Sequence, residues 1–143
     1  IAPNGKIYLI DINMNVQFTG GISQNKDVHR TIIDGEHILH DKRGNFIDLY
    51  LAFDLYYLNG DDMRALPFVE EGNTKTRFLK LDTAIKNLKL KSVVKNKQFS
   101  IRRKTFYQST GDSIFKNCQS GGLDNAEWLE ERIVSIPSSV TVL

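Results

Sequence analysis

The chain has 143 residues, 41% of them hydrophobic and 25% charged, with 19 basic against 17 acidic side chains for a net charge of +2. That length supports one modest core, and the well-mixed charges with ordinary Gly and Pro content exclude a disordered or fibrous class. The near-neutral balance gives no charge-based case for a nucleic-acid partner, the single cysteine excludes an internal disulfide and fits a reducing compartment, and no apolar run approaches the roughly 18 residues of a spanning helix.

In chain order, Pro3-Asn4-Gly5 reads as a turn, because Asn-Gly readily supplies positive φ angles. Residues 6–12 (KIYLIDI) and 15–19 (NVQFT) are expected to be strands joined at Asn13-Met14-Asn15, with Gly20-Gly21 closing the unit. The polar residues 23–29 are expected to form a loop or short helix. Residues 30–40 read as a strand, 41–45 (DKRGN) as a hairpin turn and 46–58 as a second strand, ended by Asn59-Gly60-Asp61. At residues 77–90 the period changes. Leu81, Ile85 and Leu88 fall at i, i+4 and i+7, which predicts an amphipathic helix with Thr74 or Thr76 as its cap. Residues 99–107 (FSIRRKTFY) return to a strand. Helices over 109–119, stopped by Gly121-Gly122, and over 125–132 follow, then a last strand at 140–143. The fold class is therefore α+β.

Two strands are interrupted in an unusual way. TIIDGEHILH (31–40) carries Asp34, Gly35 and Glu36 at its centre, and DLYLAFDLYYLNG (48–60) carries Asp54 inside an apolar run. Glycine and charged side chains are poor strand formers, and a buried carboxylate is costly without a partner. Alternation puts Asp34 and Glu36 on one face, a spacing that suits a divalent cation, ribose hydroxyls or basic side chains. Gly35 leaves room for another group to approach the backbone. Phe53 and Asp54 point to opposite faces, so if Phe53 lines a pocket, Asp54 is expected to be tied into backbone or arginine contacts. The competing reading makes Asp34 and Glu36 a solvated face and Phe53 a core residue.

Other signals carry less. His37 and His40 lie on opposite strand faces, a poor chelate even with Glu36 and His29 nearby in sequence. Cys118, beside Ile114 and Phe115, reads as a core thiol. In Arg102-Arg103-Lys104 the outer two share a face, compatible with phosphate contacts, although such a triple is ordinarily a solvated strand. The Leu81/Ile85/Leu88 stripe is core packing.

Four segments taken together resemble the covalent nucleotidyltransferase superfamily of mRNA capping enzymes and polynucleotide ligases. DGEHI (34–38) resembles the DGE motif, YLAFDLYYLNG (50–60) the Y-L-I-F-D motif that follows it, KIYLIDINMNVQF (6–18) the segment upstream, and FSIRRKTFY (99–107) a later F-S-V-R-x-K-x-F-F strand. NMNVQFTG and MRALPF are most similar to capping enzymes of large DNA viruses. The resemblance implies an antiparallel-sheet nucleotidyltransferase domain, family-like over 6–119 with a divergent tail at 120–143. It implies transfer of GMP from GTP, through a lysine-GMP intermediate, to the 5′-diphosphate end of RNA, with Mg2+ or Mn2+ as cofactor. By residue match, Gly35 and Glu36 belong to the nucleotide-binding motif, with Glu36 near ribose and metal. Phe53 is the base-stacking ring, Lys104 the phosphate-facing lysine, and Arg102 a further match in the same strand.

The departures are specific. No K-x-D-G occurs: Lys6 precedes Ile7-Tyr8, and Ile32 stands two residues before Asp34. The D-G-L-I-F motif, the lysine-rich motif and the OB-fold are absent, Ile12 replaces an arginine and His37 an apolar residue. The resemblance thus implies the middle of a guanylyltransferase domain, inactive as an isolated piece because its nucleophilic lysine lies outside it. Ile1 in place of Met agrees. Triphosphatase and methyltransferase domains are candidate neighbours. The place of action is cytoplasmic (virus factory or virion) if the source is viral and nuclear if cellular. An ATP-dependent ligase adenylation domain and a non-catalytic nucleotide- or RNA-binding subunit are the alternatives.

Overall fold

Two hairpins are closed by the same device, an aspartate that accepts hydrogen bonds from residues two and four positions on. Asp11 Oδ1 accepts from the backbone N–H of Asn13 (2.8 Å) and Asn15 (2.9 Å), while Asn15 Nδ2 donates to Oδ2 (2.8 Å). Asp41 repeats the arrangement with Arg43 N, Asn45 N and Asn45 Nδ2 at 2.8, 2.9 and 3.0 Å. Hydrogen bonding to the charged form holds both carboxyls below the usual aspartate range, the asparagine side chain contributing most.

The structure, a computed structural model, describes residues 1–106 and is α+β, with mostly antiparallel sheets. Strand β1 (Lys6–Ile10) pairs antiparallel with β2 (Val16–Ser23). A 3-10 turn, Lys26–Val28, leads to β3 (Ile32–His40) and β4 (Phe46–Leu58), neighbours in a second sheet that continues into the short β5 (Asp61–Asp62). After helix α1 (Arg77–Lys86), β6 (Leu90–Ser92) joins β2, and β7 (Ser100–Arg103) pairs parallel to β4. The described residues divide into two compact units, one of Ile1–His37 with Leu49–Arg103, the other of Ile38–Asp48 with residues 104–106.

In the first unit α1 supplies Leu81 and Ala84, and the turn after it Leu88, to a core shared with Ile7, Val28 and Phe99 and with Ala52 and Leu55 from β4. Tyr50, Leu58 and Ile101 touch both parts of it. The helical stripe is therefore core, as its spacing predicts, and Thr76 is the cap: its side chain accepts from Leu79 N at 3.3 Å. In the second unit the described residues form the Asp41 turn, beside which the rings of His40 and Phe46 meet edge-on at 5.7 Å.

Several elements differ from the sequence reading. Helix α1 stops at Lys86 because Asn87 caps it and Lys89 adopts φ +50°, which redirects the chain into β6. Strand β2 runs through Gly20-Gly21 instead of ending there. A Cβ on Gly21 would sit 2.9 Å from Leu90 Cδ1, so the glycine is what lets β6 lie close. Asn59 and Gly60 form a tight turn with φ +50° and +86°, sending Asp61 and Asp62 back along Leu58 and Tyr57. The expected elements at 109–119, 125–132 and 140–143, with Cys118, lie outside the described residues.

Leu81, with no exposed surface, is the centre of the helix contact. Leu81→Ala is expected to lower unfolding free energy by about 2–5 kcal/mol and Thr76→Ala by about 1 kcal/mol, read by chemical denaturation. Equal, small effects would remove α1 from the core.

Candidate functional site

The DGE segment of β3 is held by aromatic residues of β4. A Cβ built on Gly35 would lie 2.5 Å from Tyr50 Cε1 and 2.7 Å from the Leu51 carbonyl oxygen, so only glycine fits under the Tyr50 ring. The group that approaches the Gly35 backbone is thus the protein's own tyrosine, whose hydroxyl donates to the Ile33 carbonyl at 3.3 Å. Burial, and then the charge of Asp34, pushes the Tyr50 phenol up to about 12.

The two acids of the motif have different surroundings. Asp34 Oδ2 accepts a 2.6 Å hydrogen bond from the Tyr56 hydroxyl, and Oδ1 accepts from Gly35 N at 2.9 Å. That bond, with burial and the nearby charges of Asp34 and Asp54, pushes Tyr56 up to about 12 as well. Asp54 is tied as the sequence predicts: Arg77 Nε reaches Oδ1 at 2.8 Å and Nη2 reaches Oδ2 at 3.4 Å, while Leu55 N donates at 2.7 Å. Arg77 also donates to the Leu66 carbonyl at 2.6 Å, so it ties the start of α1 to the segment before it as well as to β4.

Strand pairing decides which residues share a face. Tyr50 and Ala52 lie opposite Ile101 and Arg103, on the α1 side, where Arg103 Nε meets Asp82 at 2.8 Å and its guanidinium covers the Phe78 ring at 4.5 Å. Leu51 lies opposite Arg102 on the other side. Gly35 points toward Tyr50, so Glu36, its neighbour, points away from α1. Glu36 and Arg102 therefore belong to one sheet face, Glu36 half-buried and Arg102 exposed, while the half-buried Phe53 lies where alternation along β4 breaks, since Ala52 and Leu55 both reach the core. Lys104 follows the end of β7, belongs to the second unit and is only 5% exposed, so its environment differs from that of Arg102.

Two hollows lined by described residues lie elsewhere in the first unit. One of about 600 Å³ lies beside α1 with Asn25, Lys80 and Asn87 on its walls; the other, about 420 Å³, is lined by Tyr8, Arg30 and Tyr57 among others. Among the described residues no three His, Cys, Asp or Glu side chains converge on a metal position. His29 serves structure, bridging the Pro3 and Ser23 carbonyls at 3.1 and 2.9 Å. Sequence reasoning missed Tyr50 and Tyr56 as the supports of the motif. The signal that points to Tyr50 is a glycine in one strand facing an aromatic side chain in the next.

No family model matches the chain, and neither does any curated protein or solved structure with which it was compared.

Gly35→Ala is expected to cost about 1–3 kcal/mol through overpacking. In a Tyr50→Ala background that penalty should shrink, which a double-mutant cycle measures directly. Both phenols have folded values above the ordinary tyrosine value of about 10, so the stability they carry is complete below pH 10 and is lost as pH rises toward 12. An absorbance titration should show two late-ionising tyrosines, of which Tyr56→Phe removes one; ionisation of every tyrosine near 10 contradicts this.

Proposed function

We propose that the chain is part of an mRNA-capping guanylyltransferase of the covalent nucleotidyltransferase type, its α+β fold being a portion of that domain. The observation that carries the reading is the shared face of Glu36 and Arg102, drawn from two of the four motif-like segments, with Phe53 added from a third by the resemblance. An aromatic ring, a carboxylate and a guanidinium are a chemically sensible set for a nucleoside triphosphate. The ring stacks on the base, the carboxylate takes ribose hydroxyls or a metal, and the guanidinium offsets phosphate charge.

The commitments of the neighbouring acids sharpen the roles. Asp34 has both oxygens hydrogen-bonded and Asp54 is paired with Arg77, and Glu36 is the motif acid that the resemblance assigns to the ligand. One protein carboxylate suits Mg2+, which takes one or two carboxylates and completes its shell with water and substrate phosphates. Mg2+ or Mn2+ held by Glu36 would offset charge on the transferring phosphate. Gly35 contributes by letting Tyr50 seat the strand. Lys104 is retained from the resemblance as a phosphate-facing candidate. The acceptor in this reading is the 5′-diphosphate end of RNA, and the nucleophilic lysine comes from a K-x-D-G motif that these 143 residues do not contain.

Equilibrium binding of GTP and ATP in the presence of Mg2+ tests the reading. Binding of GTP in preference to ATP is expected, with no covalent adduct. Phe53→Ala should weaken it about ten- to a hundredfold, the worth of one stacked base. Where a K-x-D-G lysine is present in the same protein, Glu36→Ala should abolish adduct formation. ATP preference would redirect the assignment to a ligase, and GTP affinity indifferent to Phe53 would end the base-stacking role.

A further inference from the structure

The net charge of +2 conceals a strong local asymmetry. Residues 83–106 contain no Asp or Glu but eight basic side chains: Lys86, Lys89, Lys91, Lys95, Lys97, Arg102, Arg103 and Lys104. Arg103 and Lys86 are engaged by Asp82. The segment containing Lys89, Lys91, Lys95 and Lys97 includes β6, the edge strand next to β2.

The register of this sheet arranges its outer face in rows. Ile7 and Leu9 of β1 turn inward to the core, so Lys6, Tyr8 and Ile10 turn outward. Ile10 pairs with Val16, Tyr8 with Phe18, and Lys6 with Ile22, which on its other side pairs with Lys91. The face thus reads as an apolar row, an aromatic row and a basic row. Every charged residue in these pairs is positive. The Tyr8 and Phe18 rings are 5.4 Å apart and tilted, Lys6 Nζ lies 5.7 Å from the Phe18 ring centre, and Lys97 Nζ donates to the Phe18 carbonyl at 3.2 Å. Tyr8 is 37% exposed, whereas Ile10 and Val16 are 60% and 63% exposed. Tyr8 also forms a wall of the 420 Å³ hollow that includes Tyr57 and Arg30, a space large enough for an unstacked base.

We propose that this outer face of β1, β2 and β6 binds single-stranded nucleic acid, with Tyr8 and Phe18 as the stacking platform and Lys6, Lys91 and Lys97 along the phosphates. Charge complementarity selects a polyanion, and an exposed Tyr8 ring beside a half-buried Phe18, flanked by lysines, selects one whose bases are accessible. A duplex hides its base faces and gains nothing from the aromatic row. The proposal goes beyond guanylyl transfer and stands on a separate set of residues, so loss of GTP binding in Phe53→Ala leaves it untouched.

Fluorescence anisotropy with labelled single-stranded RNA of about ten nucleotides, a length within the site sizes of such platforms, tests it. Wild type should bind with an affinity that falls with salt at a log–log slope of about −2, near −0.7 for each of three phosphate contacts. Tyr8→Ala should weaken binding about tenfold with the slope unchanged. Lys6→Glu with Lys91→Glu should weaken it more than tenfold and flatten the slope, and Lys6→Arg with Lys91→Arg, which keeps both charges, should restore it. Equal affinity for a duplex of the same length overturns the proposal. So does wild-type binding by the charge-reversed variant, or association with anionic lipid vesicles in the absence of oligonucleotide binding.

Discussion

Much of the sheet geometry rests on one contact, the Tyr50 ring seated on the bare backbone of Gly35. Strand β3 carries three residues that disfavour a strand, and it stays in register because the ring of its neighbour covers the position where a side chain would be. The glycine costs strand propensity, and the burial of a tyrosine offsets it. Once Gly35 is fixed toward α1, alternation decides the directions of Asp34 and Glu36, and the face that carries the candidate site follows.

The remaining aromatic and charged partners in the first unit reinforce that choice. Tyr56 takes Asp34 into a short hydrogen bond, and Arg77 takes Asp54, so structure engages both of these acids in the odd strands. Arg77 stands at the first position of α1 and links the helix start to β4, while Arg103 links β7 to Asp82 in the same helix. Core burial by Leu81 and these ion pairs act on the same face of the sheet. Glu36 and Arg102 lie on the opposite face.

The sequence was readable where local chemistry decides the outcome. D-K-R-G-N announces a hairpin turn and folds as one around Asp41, and β4 spans the 46–58 read from its pattern. It misled where a distant partner decides. Gly20-Gly21 has the composition of a turn, yet packing against Leu90 makes it strand. The apolar stripe continues to Leu88 although the helix has ended, because a core residue need not be helical to be buried. Two-residue β5 is too short for periodicity. At the site, the alternation of Asp34 and Glu36 was legible, and so was the engagement of Asp54. Tyr56 was not, because its bond to Asp34 joins residues 22 apart in sequence. The basic and aromatic rows of the outer sheet were hidden by averaging, since a near-zero net charge says nothing about where the acids are missing.

A GTP titration followed by backbone amide NMR with Mg2+ present tests the central claim most directly. The account predicts shift changes centred on Glu36, Phe53 and Arg102, with the amides of Tyr8 and Phe18 unmoved. Changes confined to α1 or the β1–β2 hairpin, or no change at saturating nucleotide, would contradict it.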